Sequence, residues 1–180
     1  MKSLLYPDDY ISSIYDVDLE KIYELGYRGI IFDVDNTLVP HNAPADERAK
    51  IFFKEMNELG IKSLLLSNNK EPRVKSFKEA SGATAYIYKA NKPSVKGYEK
   101  AMEVMGTTKE TTLFVGDQIF TDIWGANRAG IRTIMVEPVL KWKEEIQIIL
   151  KRLIEAVILL GYKFYVKRGG EVKKVPLKNE

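Results

Sequence analysis

Four short segments of this chain hold most of the residue types able to act on a charged substrate. Asp33 and Asp35 lie two apart in Asp33-Val34-Asp35-Asn36-Thr37-Leu38. On an extended backbone, residues i and i+2 point the same way, so both carboxylates can face one pocket. Two adjacent carboxylates repel each other unless a cation lies between them. Asp117, directly after Gly116, offers a third oxygen donor, and Asp122 follows in the same segment. Ser67 supplies a hydroxyl and Lys92 an ammonium. A few carboxylates with a backbone carbonyl, waters and a substrate phosphate suit magnesium.

Composition narrows the chemistry further. The 180 residues include no Cys and a single His, His41. A disulfide framework, a thiolate zinc site and a thiol nucleophile are therefore excluded. One histidine rules out multi-histidine metal sites and disfavours a serine–histidine hydrolase. Asp33, Asp35 and Thr37 loosely imitate the start of a calcium-binding EF-hand loop. That loop needs Gly at its sixth position and Glu at its twelfth, where this chain has Leu38 and Pro44.

The elements that must position these residues alternate. Gly29–Val34, Ile61–Leu66, Thr84–Tyr88, Thr111–Val115 and Arg132–Val136 read as five strands. Between them, helices are predicted from Pro44 to about Glu58, from Pro72 to Ser81-Gly82, from Pro93 to Gly106, and over 119–129. Pro near the starts and Gly at the ends support these assignments. Alternation of this kind predicts an α/β, Rossmann-like fold with a mostly parallel five-stranded sheet and helices on both faces. In such sheets ligands bind outside the carboxyl ends of the strands. Asp33, Asp35, Ser67, Lys92 and Asp117 all fall at or just after those ends. The whole of 1–180 reads as one domain, with core motifs at 29–136.

Together these segments resemble the haloacid dehalogenase (HAD) superfamily of phosphatases. Asp33 to Leu38 is similar to its first motif, Ser67 to its second, and Lys92-Pro93 to its third. Gly116-Asp117, then four residues, then Asp122 is similar to its fourth. The resemblance implies Asp33 as nucleophile, forming an aspartyl phosphate. It implies Asp35 as the acid that protonates the leaving oxygen and then activates water. Mg2+ would be held by Asp33, the backbone carbonyl of Asp35, and Asp117. Ser67 and Lys92 would bind the phosphoryl oxygens. Asp122 would orient Lys92 or a metal-bound water, and Thr37 would orient Asp35. An acid two residues after the nucleophile favours a phosphatase over a true dehalogenase.

Family members often insert a cap domain between the first and second motifs or between the second and third. Neither interval has room for one here, so the site should be open unless another subunit covers it. An open site suits a large substrate, such as a lipid head group. The compact first motif and the Ser67-Asn68-Asn69 turn resemble the YqeG-like group of type IIIA members, which is similar to the phosphatidylglycerophosphate phosphatases. The expected reaction is thus phosphomonoester hydrolysis, most simply of phosphatidylglycerophosphate in phospholipid synthesis. A soluble small-metabolite phosphatase and a non-catalytic binding protein are the rival readings.

The remaining residues are less specific. His41, Asn68 and Arg73 stand near the expected pocket and are candidate substrate contacts, Arg73 for a second phosphate. Their alternative is ordinary loop and turn chemistry. Trp124 and Trp142 read as core or interface residues. Residues 1–140 carry 18 basic and 20 acidic residues, whereas 141–180 carry 10 and 5. The basic C-terminal region offers a surface for an anionic partner, including peripheral contact with a membrane. Leu140–Leu160 is predicted to be an amphipathic helix, with Ile146, Ile149, Leu150, Leu153, Val157 and Leu160 on one face packed on the sheet. A hairpin is expected from 162–167 and 171–175 around Gly169-Gly170. Without a secretory signal, a cytoplasmic location is expected. The tyrosines form no nucleic-acid-binding pattern.

Overall fold

The computed structural model describes residues 2–139 and 146–178, with residues 146–150 described by backbone only. The strands are β1 (Asp9–Ile11), β2 (Gly29–Phe32), β3 (Lys62–Leu66), β4 (Ala85–Ile87), β5 (Thr112–Gly116) and β6 (Arg132–Val136). They form one sheet in the order β1-β6-β5-β2-β3-β4, and every pairing is parallel. The chain winds outward from β2 through β3 to β4, then crosses back to β5 on the other side of β2. That reversal opens a crevice at the carboxyl ends of β2 and β5.

The helices are α1 (Leu19–Glu24), α2 (Glu47–Glu58), α3 (Glu71–Ser81), α4 (Val95–Met105), α5 (Trp124–Arg128) and α6 (Ile146–Lys167). Side chains alternate across each strand, so β2 feeds two cores. Ile30 and Phe32 pack with α1, α2 and α3. Ile31 packs with Tyr98, Ala101 and Met105 of α4 and Ala126 of α5. Phe32 meets Phe52 and Phe53 edge-on, at ring-centroid separations of 6.1 and 5.3 Å. These buried contacts fix the strand that carries Asp33. One helix, α2, separates β2 from β3, and one helix, α3, separates β3 from β4. No cap domain lies in either interval.

The structure departs from the sequence-based expectations in several places. The sheet has six strands, not five. The extra strand, β1, is three residues long and exists through its pairing with β6, which no local periodicity announces. The helix expected from Pro44 begins at Glu47, because the Asp46 carboxylate accepts the Ala49 amide at 2.9 Å and caps it there. The helix expected over 119–129 divides into a π-turn, Ile119–Ile123, and α5.

The predicted hairpin is absent. Residues 162–167 belong to α6, which runs through Gly161 to Lys167. At Gly161 the helix passes close to Tyr6, whose hydroxyl would lie 2.7 Å from an added Cβ and would have to shift. Beyond Gly169-Gly170 the tail runs along the edge of the sheet. Lys173 donates its amide to Asp8 O at 3.1 Å, and the Val175 amide reaches Asp9 Oδ2 at 2.7 Å. The tail thereby covers part of an edge strand.

The apolar face expected to pack on the sheet also turns out differently. Leu153, Val157 and Leu160 face solvent, and the inner side of α6 carries Glu155, Ile158, Leu159 and Tyr162. A helix that is apolar nearly all round does not announce which side turns inward. The beginning of that predicted helix at 140–145, with Trp142, lies outside the described residues, as do the side chains of Ile146, Ile149 and Leu150. Trp124 is half-buried, with the Arg128 guanidinium over its ring. Among the described residues, no helix is long and apolar enough to cross a membrane.

Candidate active site

The site is assembled from the ends of β2, β3 and β5 and the loop after β4. Beyond Phe32, the Asp33 amide still donates to Val115 O at 2.9 Å, which carries the strand geometry one residue further. Asn36 then adopts a left-handed conformation (φ 65°), which Asn tolerates better than most residues. The turn buries Asp33 and Thr37 and leaves Asp35 at the mouth.

Lys92 is buried, and its ammonium bridges two carboxylates. Nζ lies 2.6 Å from Asp33 Oδ1 and 2.7 Å from Asp122 Oδ1. Its backbone is clamped by Asn68, which accepts the Lys92 amide at 2.7 Å and donates to the Lys92 carbonyl at 3.1 Å. Asp122 comes back beneath β5 only because residue 116 is glycine, where a Cβ would lie 2.6 Å from the Asp122 Cβ. The second Asp122 oxygen accepts the Gln118 amide at 3.1 Å.

Asp117 is fully buried. Its Oδ1 accepts from the Thr37 hydroxyl at 3.2 Å, and the same hydroxyl lies 3.3 Å from Asp33 Oδ2. Its Oδ2 meets the Arg152 guanidinium of α6 at 2.5 Å. Asp33, Asp117 and Asp122 each present an oxygen within 4.8 Å of the others. Above them lies a cavity of about 330 Å³, lined by Asp33, Asp35, Ser67 and Lys92, with exposed His41 and half-buried Gln118 at its edge.

Charge in this cluster is undercompensated. Burial, with help from Asp122 and Asp35, pushes Asp33 up to about 6 against the pull of Lys92. Burial and the neighbouring Asp33 charge push Asp117 up to about 8 despite Arg152. Burial would depress Lys92, but the Asp122 and Asp33 carboxylates outweigh it and keep the ammonium charged. Burial likewise acts to raise Asp35. It is outweighed by hydrogen bonds from Arg73 at 2.8 Å, the Asn42 amide at 2.8 Å and Asn69 at 3.3 Å, which together hold Asp35 low.

A hard divalent cation fits these residues. Three buried carboxylates, Asp33, Asp117 and Asp122, share two cations, Lys92 and Arg152, which leaves negative charge for such an ion to balance, and hard oxygen donors are what it takes. Each of the three carboxylates already has a donor on both oxygens, so a bound cation would share Asp33 and Asp117 with Lys92, Thr37 and Arg152.

Comparison with known proteins agrees with this geometry. The HAD-hydrolase-like family model matches residues 89–138, which contain Lys92 and the Gly116–Asp122 segment. The Probable phosphatase YqeG of Bacillus subtilis is 44% identical over 140 residues, covering 77% of this chain and 81% of that protein. The chain belongs to the haloacid dehalogenase-like phosphatases, in their YqeG-like group. Phosphatidylglycerophosphate phosphatase 1 (chloroplastic/mitochondrial) of Arabidopsis thaliana is 25% identical over 181 residues, 93% of this chain. This chain spans 50% of that longer protein. A solved structure of a Xanthomonas campestris protein shares the fold, with TM-score 0.52, 17% identity, and coverage of 68% of this chain and 72% of that one.

In this HAD-like phosphatase, Asp33, Asp35, Ser67, Lys92, Asp117 and Asp122 converge as their spacing suggested. Three other residues stand differently. Thr37 ties Asp33 to Asp117 rather than orienting Asp35. Arg73 pairs with Asp35, and Asn68 holds the Lys92 backbone. Sequence reasoning missed Arg152 and Glu155. Arg152 donates to Asp117 Oδ2 and to its carbonyl at 3.0 Å. Glu155 accepts the Ile119 and Phe120 amides at 2.8 and 3.4 Å. No local signal marks either residue, because each meets its partners only after α6 docks. Asn69, by contrast, stood in the Ser67-Asn68-Asn69 turn and was identifiable there.

Proposed function

We propose that this phosphatase is a Mg2+-dependent phosphomonoesterase that works through an aspartyl phosphate on Asp33. The observation that carries the reading is the Asp33 carboxylate, 2.6 Å from the Lys92 ammonium and beside buried Asp117, on the floor of an open cavity. An Asp33 oxygen attacks phosphorus, and the bond from phosphorus to the ester oxygen breaks. Asp35 gives that oxygen its proton, then takes one from the water that attacks the aspartyl phosphate. This releases inorganic phosphate and regenerates Asp33. Ser67 and Lys92 hold the phosphoryl oxygens, and Asp122 keeps the Lys92 ammonium in place. When bound, Mg2+ would be held by Asp33, Asp117 and the Asp35 carbonyl, and would supply positive charge that lets two anions approach.

The favoured substrate is phosphatidylglycerophosphate. Support comes from the uncapped site and from the Arabidopsis relative named for that activity. A lipid substrate also suits peripheral contact between the basic C-terminal region and a membrane.

The test is phosphate release from phosphatidylglycerophosphate in mixed micelles and from a panel of soluble phosphomonoesters. Both assays run with and without Mg2+, on wild type and Asp33→Asn. Mg2+-dependent turnover strongest on the lipid and abolished by the substitution is the expected result. Preference for a soluble ester would keep the mechanism and discard the lipid. Absence of Mg2+-dependent turnover on every ester would overturn both.

A further inference from the structure

We propose that the outer face of α6 docks on anionic lipid bilayers. Leu153, Val157, Leu160 and Phe164 follow one another at helical spacing and are 62%, 68%, 62% and 64% exposed. Ile154 beside them is 53% exposed. Large apolar side chains aligned along one solvent-facing line mark an interaction surface rather than scattered exposure. Exposed Lys163, Lys167 and Arg168 border the line. The one acid in α6, Glu155, is turned inward and buried against the Ile119 and Phe120 amides.

The outer face between Leu153 and Arg168 is therefore apolar and cationic, with no exposed acid. That charge decides the occupant. A second copy would bring cationic borders against each other, whereas an anionic bilayer offers headgroups to the cations and acyl chains to the stripe. The helix is not apolar enough to cross the membrane, so it lies in the interface.

The inner face of the same helix holds the active-site loop. Arg152 grips Asp117, and Lys151 donates to the Gln118 side chain at 2.8 Å. Gln118 lines the cavity. Docking would thus bear on the site through Arg152 and Lys151, a use that rests on the lipid-substrate reading. The docking itself does not depend on it.

The experiment is flotation of the full chain with vesicles of phosphatidylcholine alone and with one-third phosphatidylglycerol. It compares wild type, Val157→Ser/Leu160→Ser and Lys163→Glu/Lys167→Glu. Turnover of a soluble aryl phosphate and of phosphatidylglycerophosphate in the same vesicles is measured alongside. Wild type is expected to float with the anionic vesicles, and each double variant at least tenfold less. The variants should keep the wild-type melting temperature and soluble-ester turnover. If wild type fails to float, or the variants float equally well, the proposal falls. A dimer in sedimentation that Val157→Ser/Leu160→Ser dissociates, without vesicle binding, would assign the face to a second copy and also overturn it. Flotation without phosphatidylglycerophosphate hydrolysis would support docking while removing the lipid-substrate reading.

Discussion

The floor and the mouth of the site treat two neighbouring carboxylates in opposite ways. Asp33, on the floor, shares Lys92 with Asp122 and is pushed up by burial to about 6. Asp35, at the mouth, has Arg73, Asn69 and the Asn42 amide largely to itself and is held low. The difference lies in the supply of donors rather than in the residue type. Three buried acids compete for the cations of the floor, while the mouth is well supplied. Under the proposed mechanism each carboxylate is set against its task until ligands arrive. Asp33 needs a cation to stay ionised for attack. Asp35 needs Arg73 drawn away by the substrate's phosphate before it can hold a proton.

The sharpest way to break this comparison is to remove the floor carboxylate alone. Asp33→Asn should lower kcat on the order of 10⁴-fold or more. Its melting temperature at pH 8 should be no lower than wild type, because a poorly compensated buried charge has gone. A melting temperature several degrees lower would contradict the floor's excess of negative charge.

Next in size is the floor cation. Lys92→Met leaves Asp33 and Asp122 without it and should cost about 3–5 kcal/mol in denaturant unfolding. A loss under 1 kcal/mol would mean the ammonium does little to hold the cluster.

Cation binding should act on the floor and depend on pH. Asp33 and Asp117 bind protons up to about 6 and about 8 in the fold, but only to about 4 when exposed. Between those limits the folded chain carries more protons than the unfolded one, so metal-free stability falls as pH rises through that window. Mg2+ needs both carboxylates ionised. At a fixed Mg2+ concentration its stabilisation should therefore be larger at pH 8 than at pH 6, reaching about 2.7 kcal/mol where that concentration is one hundred times Kd. Calorimetry at the two pH values checks this, and an equal shift at both would place the ion elsewhere.

Breaking the ion pair at the mouth should cost less than removing the floor cation. Arg73→Gln removes a mostly buried guanidinium from a carboxylate that keeps the Asn42 and Asn69 donors, and should cost about 1.5–3 kcal/mol. It should also move the limb of the kcat/KM–pH profile that reports Asp35 in the free enzyme to higher pH, because the carboxylate loses its guanidinium. An unmoved limb would separate Asp35 from the proton transfer.

Much of this was legible before any coordinates. The five strands other than β1 combine apolar runs with flanking turn residues, and Asp33, Ser67, Lys92 and Asp117 fall at or just after strand ends, so sheet and site could be read together. β1 was not legible, because Asp9-Tyr10-Ile11 lies in no apolar run, with Pro7-Asp8 before it and Ser12-Ser13 after it, and its place comes from pairing with β6. The Gly169-Gly170 pair suggested a hairpin, but α6 runs on to Lys167, and the tail finds its partners at Asp8 and Asp9 instead. Thr37 looked like a partner for Asp35 from proximity in sequence, yet the turn at Asn36 directs its hydroxyl to Asp33 and Asp117.

The sequence by itself determined the chemistry. Without thiols and with one histidine, reactivity had to come from carboxylates, a hydroxyl and an ammonium, and their order along alternating strands and helices specified where they would gather. Only the tertiary structure decided how those groups are charged and what stands behind them. Burial and pairing depend on side chains that meet across the fold, such as Arg73 on Asp35 and Arg152 on Asp117. Only docking of α6, likewise, decided which face of a nearly all-apolar helix turns inward, because period records the spacing of apolar residues and not the surface they meet.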